Sequence, residues 1–266
     1  MIKLNLARNC LRYLIKAYGI KEIFIPFYSC NTIWAAARKE NCNIKFYHIG
    51  QDFLPLEEFP KNSFVLYINY FGLCDENCKT LEQTYPNLII DNTHAFYSKP
   101  YGLASFNSLR KFFNVQNGAY LYTDKTLNEN FPQDEFLFKP ISMQENYEQF
   151  VQNEHLLYNQ DIKLISSDVE KVINTINFDN DKLKRIEKYL EYHKLFKYTN
   201  LIKLPLKKNS VPYCYPLCTR ADNILETLVD LKIALLRLWK ELPQEFPEYE
   251  FLNNTIALPL TDEKLF

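Results

Sequence analysis

The sequence predicts an α/β fold: a mostly parallel central sheet with helices on both faces, plus a smaller C-terminal α+β region. Short β-rich runs at 22–26, 43–49, 64–70 and 87–91 alternate with segments of helical period at 7–18, 31–40 and 75–84. That rhythm is the mark of strands joined by crossover helices. The run FVLYINY at 64–70 is almost continuously apolar, as expected of a strand covered on both faces.

In chain order, 7–18 places Leu11, Leu14, Ile15 and Tyr18 at helical spacing, and Gly19 is the stop. EIFIP (22–26) is a strand ending at a proline, and 31–40 is a helix with Ile33, Trp34 and Ala37 on one side. NIKFYHI (43–49) alternates as a strand, a helix follows 64–70 at 75–84, and NLIID (87–91) is the next strand. A serine-containing turn then leads to a strand beyond Gly118. Right-handed crossovers bring the loops after Pro26, Tyr70 and Asp91 to one sheet edge, where open α/β sheets bind ligands.

Two regions are expected, 1–125 and 126–266. The second opens with polar stretches over 126–180 of unassigned role. A helix at 181–197 would carry Leu183, Ile186, Leu190 and Leu195 on one side, and LIKLPL (201–206) reads as a strand. The strongest amphipathic pattern, 222–240, has Asp222 as N-cap and a stripe at Ile224, Leu225, Leu228, Leu231, Leu235 and Trp239. TIALPL (255–260) is the last strand.

Composition narrows the function. A chain of 266 residues, 47% hydrophobic, can bury a large core. A formal net charge of −1 gives no whole-chain reason to bind nucleic acid. No apolar run approaches the roughly 18–20 residues that span a bilayer, so membrane insertion is not expected. No secretory signal is recognisable at the start, and the seven cysteines are odd in number and scattered. Both features suit reduced thiols and a cytoplasmic location. Cys74/Cys78 and Cys214/Cys218 lack tight zinc-knuckle spacing, so buried thiols are expected there and no metal site. Only five glycines occur, and neither G-x-G-x-x-G nor a P-loop is present. A phosphate would have to rest on a helix start and side chains.

Between 88 and 124 an apolar strand ends in Asp91, His94 follows, and a turn carries Arg110 and Lys111. An acid, an imidazole and an amine at strand ends are what pyridoxal 5′-phosphate chemistry requires. The anion keeps the pyridine nitrogen protonated, and the amine bonds the aldehyde and moves a proton.

Over roughly 4–124 the order of motifs resembles the DegT-like sugar aminotransferases, which are fold-type I pyridoxal-phosphate enzymes. Leu6-Ala7-Arg8-Asn9-Cys10-Leu11 matches the family's Ser-Gly-Thr helix start, Pro26 to Thr32 its P-x-x-T-[FW] loop, and Asp91-Asn92-Thr93-His94 its D-x-A-Q. Ser105 to Lys111 is similar to its S-F-x-x-[ST]-K, and TIALPL followed by TDEK echoes its closing strand and helix. The resemblance implies that Asp91 meets the pyridine nitrogen and His94 the phenolic oxygen. It also implies that Arg8, Asn9 and Ser105 hold the phosphate. Cys30 falls in the place of the loop aromatic, so Tyr28 or Phe27 would stack on the ring.

For the Schiff-base lysine two positions compete. A gap-free count from Ser105, or back from Gly118, gives Arg110, whereas Lys111 fits if the turn gains one residue before it and loses one after. Arginine stays protonated and forms no useful imine. With Lys111 in the pocket, the resemblance implies an aminotransferase for a nucleotide-linked keto-sugar of surface polysaccharide, working as a homodimer. With Arg110 there, it implies a non-catalytic relative that binds a sugar nucleotide or a protein partner. Family members usually carry more residues ahead of the helix start than this chain does.

Overall fold

Residues 1–135, 137–141, 145–230, 236–239 and 242–261 are described by the computed structural model of the chain, with 222, 223 and 225 described by their backbone alone. A mixed seven-stranded sheet lies at the centre, in the order β1-β7-β6-β5-β4-β2-β3. Its strands are β1 (Ile2–Leu4), β2 (Glu22–Pro26), β3 (Asn43–Tyr47), β4 (Val65–Ile68), β5 (Leu88–Asn92), β6 (Ala104–Asn107) and β7 (Ala119–Tyr122). From β3 to β6 neighbours run parallel; β7 is antiparallel to β6, and β1 to β7.

Over residues 7–92 the predicted order of strands and helices is borne out. Helix α1 (Ala7–Tyr18) ends at Gly19, whose φ of +65° suits a residue without Cβ and whose N–H caps the carbonyls of Ile15 and Lys16. Helix α2 (Asn31–Lys39) joins β2 to β3, and α3 (Asp75–Thr84) joins β4 to β5. The first crossover runs outward to β3 and the second runs the opposite way to β5, so right-handedness puts α2 and α3 on opposite faces. Every residue of β4 and β5 is buried accordingly.

Several expectations change. The serine-containing turn is a strand, β6, whose Ser105 and Asn107 are buried polar residues that break the apolar pattern. Residues 126–180 contain helices α4 (Tyr147–Tyr158) and α5 (Ser167–Ile173), and the backbone at 163–165 bonds to Asn5 and Lys3. In α6 (Phe178–Phe196) the buried face is Arg185, Tyr189 and Tyr192. Leu183, Leu190 and Leu195 are exposed instead. LIKLPL forms no strand, and its first two residues are held by Asn200 and Cys218.

The amphipathic segment departs from expectation as well. Helix α7 (Asp222–Asp230) is followed by β9 (Leu236–Arg237), so Trp239 is not on a helical stripe. The cap at Asp222 and the stripe positions Leu225, Leu231 and Leu235 lie outside the described side chains, as does the segment after Thr261. Strand β8 (Cys214–Leu217), β9 and β10 (Ile256–Pro259) form a second, antiparallel sheet in the order β8-β10-β9, and the short helix α8 (Tyr249–Leu252) precedes β10. Among the described residues no helix is long and apolar enough to cross a membrane.

Candidate active site

At the C-terminal edge of the sheet a cavity of about 90 Å³ opens between β5, the turn after β6 and the start of α1. Asp91, His94, Arg8, Arg110 and Lys111 all line it. A larger open groove of about 730 Å³ runs along α6. Its Asp181 is committed to Arg185 and Tyr97 and its other charges are ordinary helix side chains, so the chemistry points to the smaller cavity.

Asp91 occupies the end of β5 because the apolar run before it is buried on both sides. Its carboxylate accepts the Thr93 N–H at 2.8 Å, and its carbonyl takes the Asn69 N–H at 3.0 Å. Burial pushes its pKa up to about 6, against the opposing pull of Thr93 and Lys111. The group is therefore ionised at neutral pH but held at a cost.

His94 is buried with its ring near-parallel to Tyr213 (4.5 Å, 11°) and Trp239 (5.4 Å, 4°). Gly72 makes this packing possible. At φ +73° a Cβ there would stand 2.7 Å from the His94 carbonyl oxygen. Burial, reinforced by Lys111, drives the imidazole pKa well below its usual value, so His94 is neutral. Its Nδ1 is buried without a partner among the described residues.

Arg110 and Lys111 share the 3₁₀ turn Leu109–Lys111 and both line the cavity, with different partners. The Leu109 N–H bonds the Gly118 carbonyl at 2.9 Å, and the Phe112 carbonyl accepts from the Arg185 guanidinium at 2.9 Å. Arg185, buried in α6, also bonds Asp181 at 2.8 Å and the Tyr213 carbonyl at 3.4 Å, and so ties the turn to the second sheet. The Arg110 guanidinium forms a bidentate pair with Glu154 of α4. Lys111 instead sets its ammonium 5.8 Å from the centroid of Tyr213, the ring that stacks on His94. Burial lowers its pKa from the usual lysine value, with Arg110 adding to the effect and Asp91 among the groups opposing it.

Three assigned residues are not part of this cavity. Ser105 pairs with Ile90 while its neighbour Phe106 pairs with Asp91, so strand alternation turns Ser105 to the opposite face. Phe106 and Ser108 line the cavity in its stead. The Asn9 amide is spent on Asn5 and on the carbonyls of Gln160 and Asp161, and its oxygen accepts from Arg12. Tyr28 is buried behind the cavity, stacked on Tyr70 and edge-on to Trp239, and Phe27 packs with Trp34, Phe46 and Phe246. From their loop it is Cys30 and Thr32 that reach the cavity. Residues not singled out as site residues are Trp239, Tyr213, Ser108, Thr93 and Glu154. Of these, Thr93 lies inside the D-x-A-Q match and Ser108 inside the S-F-x-x-[ST]-K match, whereas the other three lie outside any motif.

The donor set fits the ring of pyridoxal phosphate. A buried carboxylate with one short backbone donor suits a protonated ring nitrogen, and an imidazole nitrogen lacking a partner suits a ring oxygen. At the other end Ala7 and Arg8 begin α1, whose first turn holds no acid and whose N-terminus favours an anion. Among these residues Asp91, His94 and Lys111 would serve the ring, and Arg8 with Ser108 the phosphate.

No protein-family model matches the chain, and no curated protein does. Solved structures do. A DegT DnrJ EryC1 StrS aminotransferase from Brucella abortus superposes with a TM-score of 0.65 at 12% identity, covering 97% of this chain and 80% of that one. Helicobacter pylori PseC, an aminotransferase of pseudoaminic acid biosynthesis, gives 0.61 at 16% identity over 97% and 80%. DesV of S. venezuelae gives 0.66 at 13% over 97% and 78%. At such identities the likeness is one of architecture, and the chain has the fold of the DegT-like sugar aminotransferases.

Proposed function

We propose that this protein binds pyridoxal 5′-phosphate through Lys111 and acts as an aminotransferase on a nucleotide-linked keto-sugar of surface-polysaccharide synthesis. The observation that carries the reading is the difference in partners on the turn: both side chains line the cavity, but Arg110 is ion-paired with Glu154, while Lys111 sets its ammonium over Tyr213 and acts electrostatically on Asp91 and His94. The cofactor, when bound, supplies an electron sink for cleavage of a bond at the substrate carbon.

The chain's own residues supply the rest. Asp91, ionised above about pH 6, holds a proton on the ring nitrogen. His94, kept neutral by burial, orients the ring through its oxygen. Lys111, whose lowered pKa enlarges the share of free amine, would hold the cofactor at its aldehyde carbon with loss of water, and its Nζ would carry the proton that moves during the reaction. Arg8, Ser108 and the α1 start hold the phosphate. A cytoplasmic homodimer is the assembly that accompanies this reading.

The test is the visible absorbance of the purified protein with added pyridoxal phosphate, before and after Lys111→Ala. A lysine-dependent band supports the enzyme, and a wild-type protein without one sinks it. A second reading is favoured by Phe106, which stands on the cavity face where a phosphate-binding serine was expected. It is a non-catalytic binder of an anionic sugar nucleotide, weakened by Arg110→Ala and indifferent to Lys111→Ala.

A further inference from the structure

We propose that Trp239 sets the ring space of this cavity. It is the wall that decides how large a planar ring the Asp91–His94–Lys111 end admits, and it turns aside when one enters. The inference deepens the pyridoxal-phosphate reading, though its first test does not depend on it.

Space is the starting point. The cavity measures about 90 Å³. An engineered protein cavity of about 150 Å³ holds benzene, and small-molecule sites commonly span about 300–1,000 Å³. A pyridine ring with its substituents therefore enters only if a wall yields. Most of the walls are poor candidates. Asp91 and Phe106 belong to central strands, Leu11 to the buried face of α1, and Ile33 to α2, all within the packed core.

Trp239 differs on three counts. Among the described residues it is the one lining residue that comes from beyond the turn at Lys111, two residues after the short strand β9. Its φ is +43°, a left-handed conformation strained for a residue with a Cβ and concentrated in proteins at ligand clamps and switches. Its indole also lies parallel to the His94 imidazole at 5.4 Å and 4°. Both flat rings border the open space. Edge-on contacts to Tyr28 (4.7 Å, 79°) and Tyr70 (6.0 Å, 72°) hold the indole there. A flat side chain thus takes up room beside the two polar groups suited to a flat ligand.

The probe is 3-hydroxypyridine, which has the ring nitrogen and ring oxygen but neither aldehyde nor phosphate. It is titrated by calorimetry into the wild-type protein, Trp239→Ala and Trp239→Phe, with thermal melting to verify folding. Binding should tighten about tenfold in Trp239→Ala and about threefold in Trp239→Phe. Equal or weaker binding by the variants overturns the inference, and weaker binding would make Trp239 a stacking platform rather than a barrier. Should Trp239→Ala fail to fold, Trp239→Phe decides alone. Pyridoxal phosphate, read by its Lys111-dependent absorbance, separates the two ideas. Tighter 3-hydroxypyridine binding with no such band in any protein keeps the role of Trp239 and removes the aminotransferase. A band with no gain for 3-hydroxypyridine does the reverse.

Discussion

At its ring end the cavity is walled by Asp91 at the end of β5, by His94 just after it, and by Lys111 on the turn after β6; at its other end it is closed by the start of α1 and a pair of arginines. The ring-end groups depend on backbone that the sheet already dictates. Lys111 follows from β6 through a turn clamped by Leu109, Gly118 and Arg185. The anion end depends on side chains that must be balanced one against another. Arg110 is answered by Glu154, and Arg8 reaches the Tyr158 carbonyl at 3.4 Å, both on α4. A site can thus keep its geometry at one end while its charge pattern is rebuilt at the other.

The largest expected effect comes from loosening the clamp on the ring end. Arg185→Met leaves the largely buried carboxylate of Asp181 without its cationic partner, with Tyr97 still donating to it, and frees the Phe112 and Tyr213 carbonyls. Breaking a buried pair on one side costs about 3–5 kcal/mol. Urea unfolding should show a loss of that size, and a loss below about 1 kcal/mol would mean that the turn is held by something else.

Next is the strain of keeping Asp91 ionised. Its folded pKa of about 6 lies above the unfolded value of about 3.9, so the folded state binds the extra proton between those limits. Stability therefore falls as pH rises through that window, and the penalty is complete above about pH 6. Asp91→Asn should stabilise the cofactor-free protein by about 2–3 kcal/mol at pH 7.5 and by almost nothing near pH 3.5. An equal effect at both pH values would place the carboxylate in a solvated setting. The same variant should lose any aminotransferase activity, since an amide cannot hold the ring nitrogen protonated.

At the anion end the effects should be smaller and ligand-dependent. Arg110→Gln should weaken pyridoxal phosphate about tenfold, roughly 1.4 kcal/mol, and leave phosphate-free pyridoxal unchanged. Equal losses for both ligands would move Arg110 into the ring end and erase the distinction between the two.

How much of this could be read in the chain depended on whether neighbours in sequence were neighbours in space. Strand β2 and helices α1 and α3 were legible because each buries its own periodic apolar face, and β5 because it is a continuous apolar run buried on both sides. Asp91 and His94 were legible as polar residues that close an apolar strand. Helix α6 was readable as a helix but not in its orientation. Its buried face centres on Arg185, which is tolerated inside through Asp181 and two carbonyls from other parts of the chain. The choice between Arg110 and Lys111 could not be settled by counting, because Glu154, Gly118 and Arg185 set the turn from a distance. Trp239 falls within a continuous helical pattern over 222–240, yet Leu236 and Arg237 of that segment pair with β10.

The smallest effect separates the two serines. Ser105 carries a buried hydroxyl without a partner among the described residues and faces away from the cavity, whereas Ser108 lines it. Removing an unpaired buried hydroxyl relieves a desolvation penalty, so Ser105→Ala should be neutral or stabilising by up to about 1 kcal/mol, with unchanged affinity for pyridoxal phosphate. Ser108→Ala should leave stability within about 0.5 kcal/mol and cost about threefold in affinity, the loss of one hydrogen bond to a phosphate oxygen. Thermal melts and absorbance titrations of the pair measure both quantities. If Ser105→Ala is the variant that loses affinity, the strand faces the cavity in the opposite sense. The amine opposite Asp91 would then be carried by a different turn geometry, with Arg110 and Lys111 exchanging places.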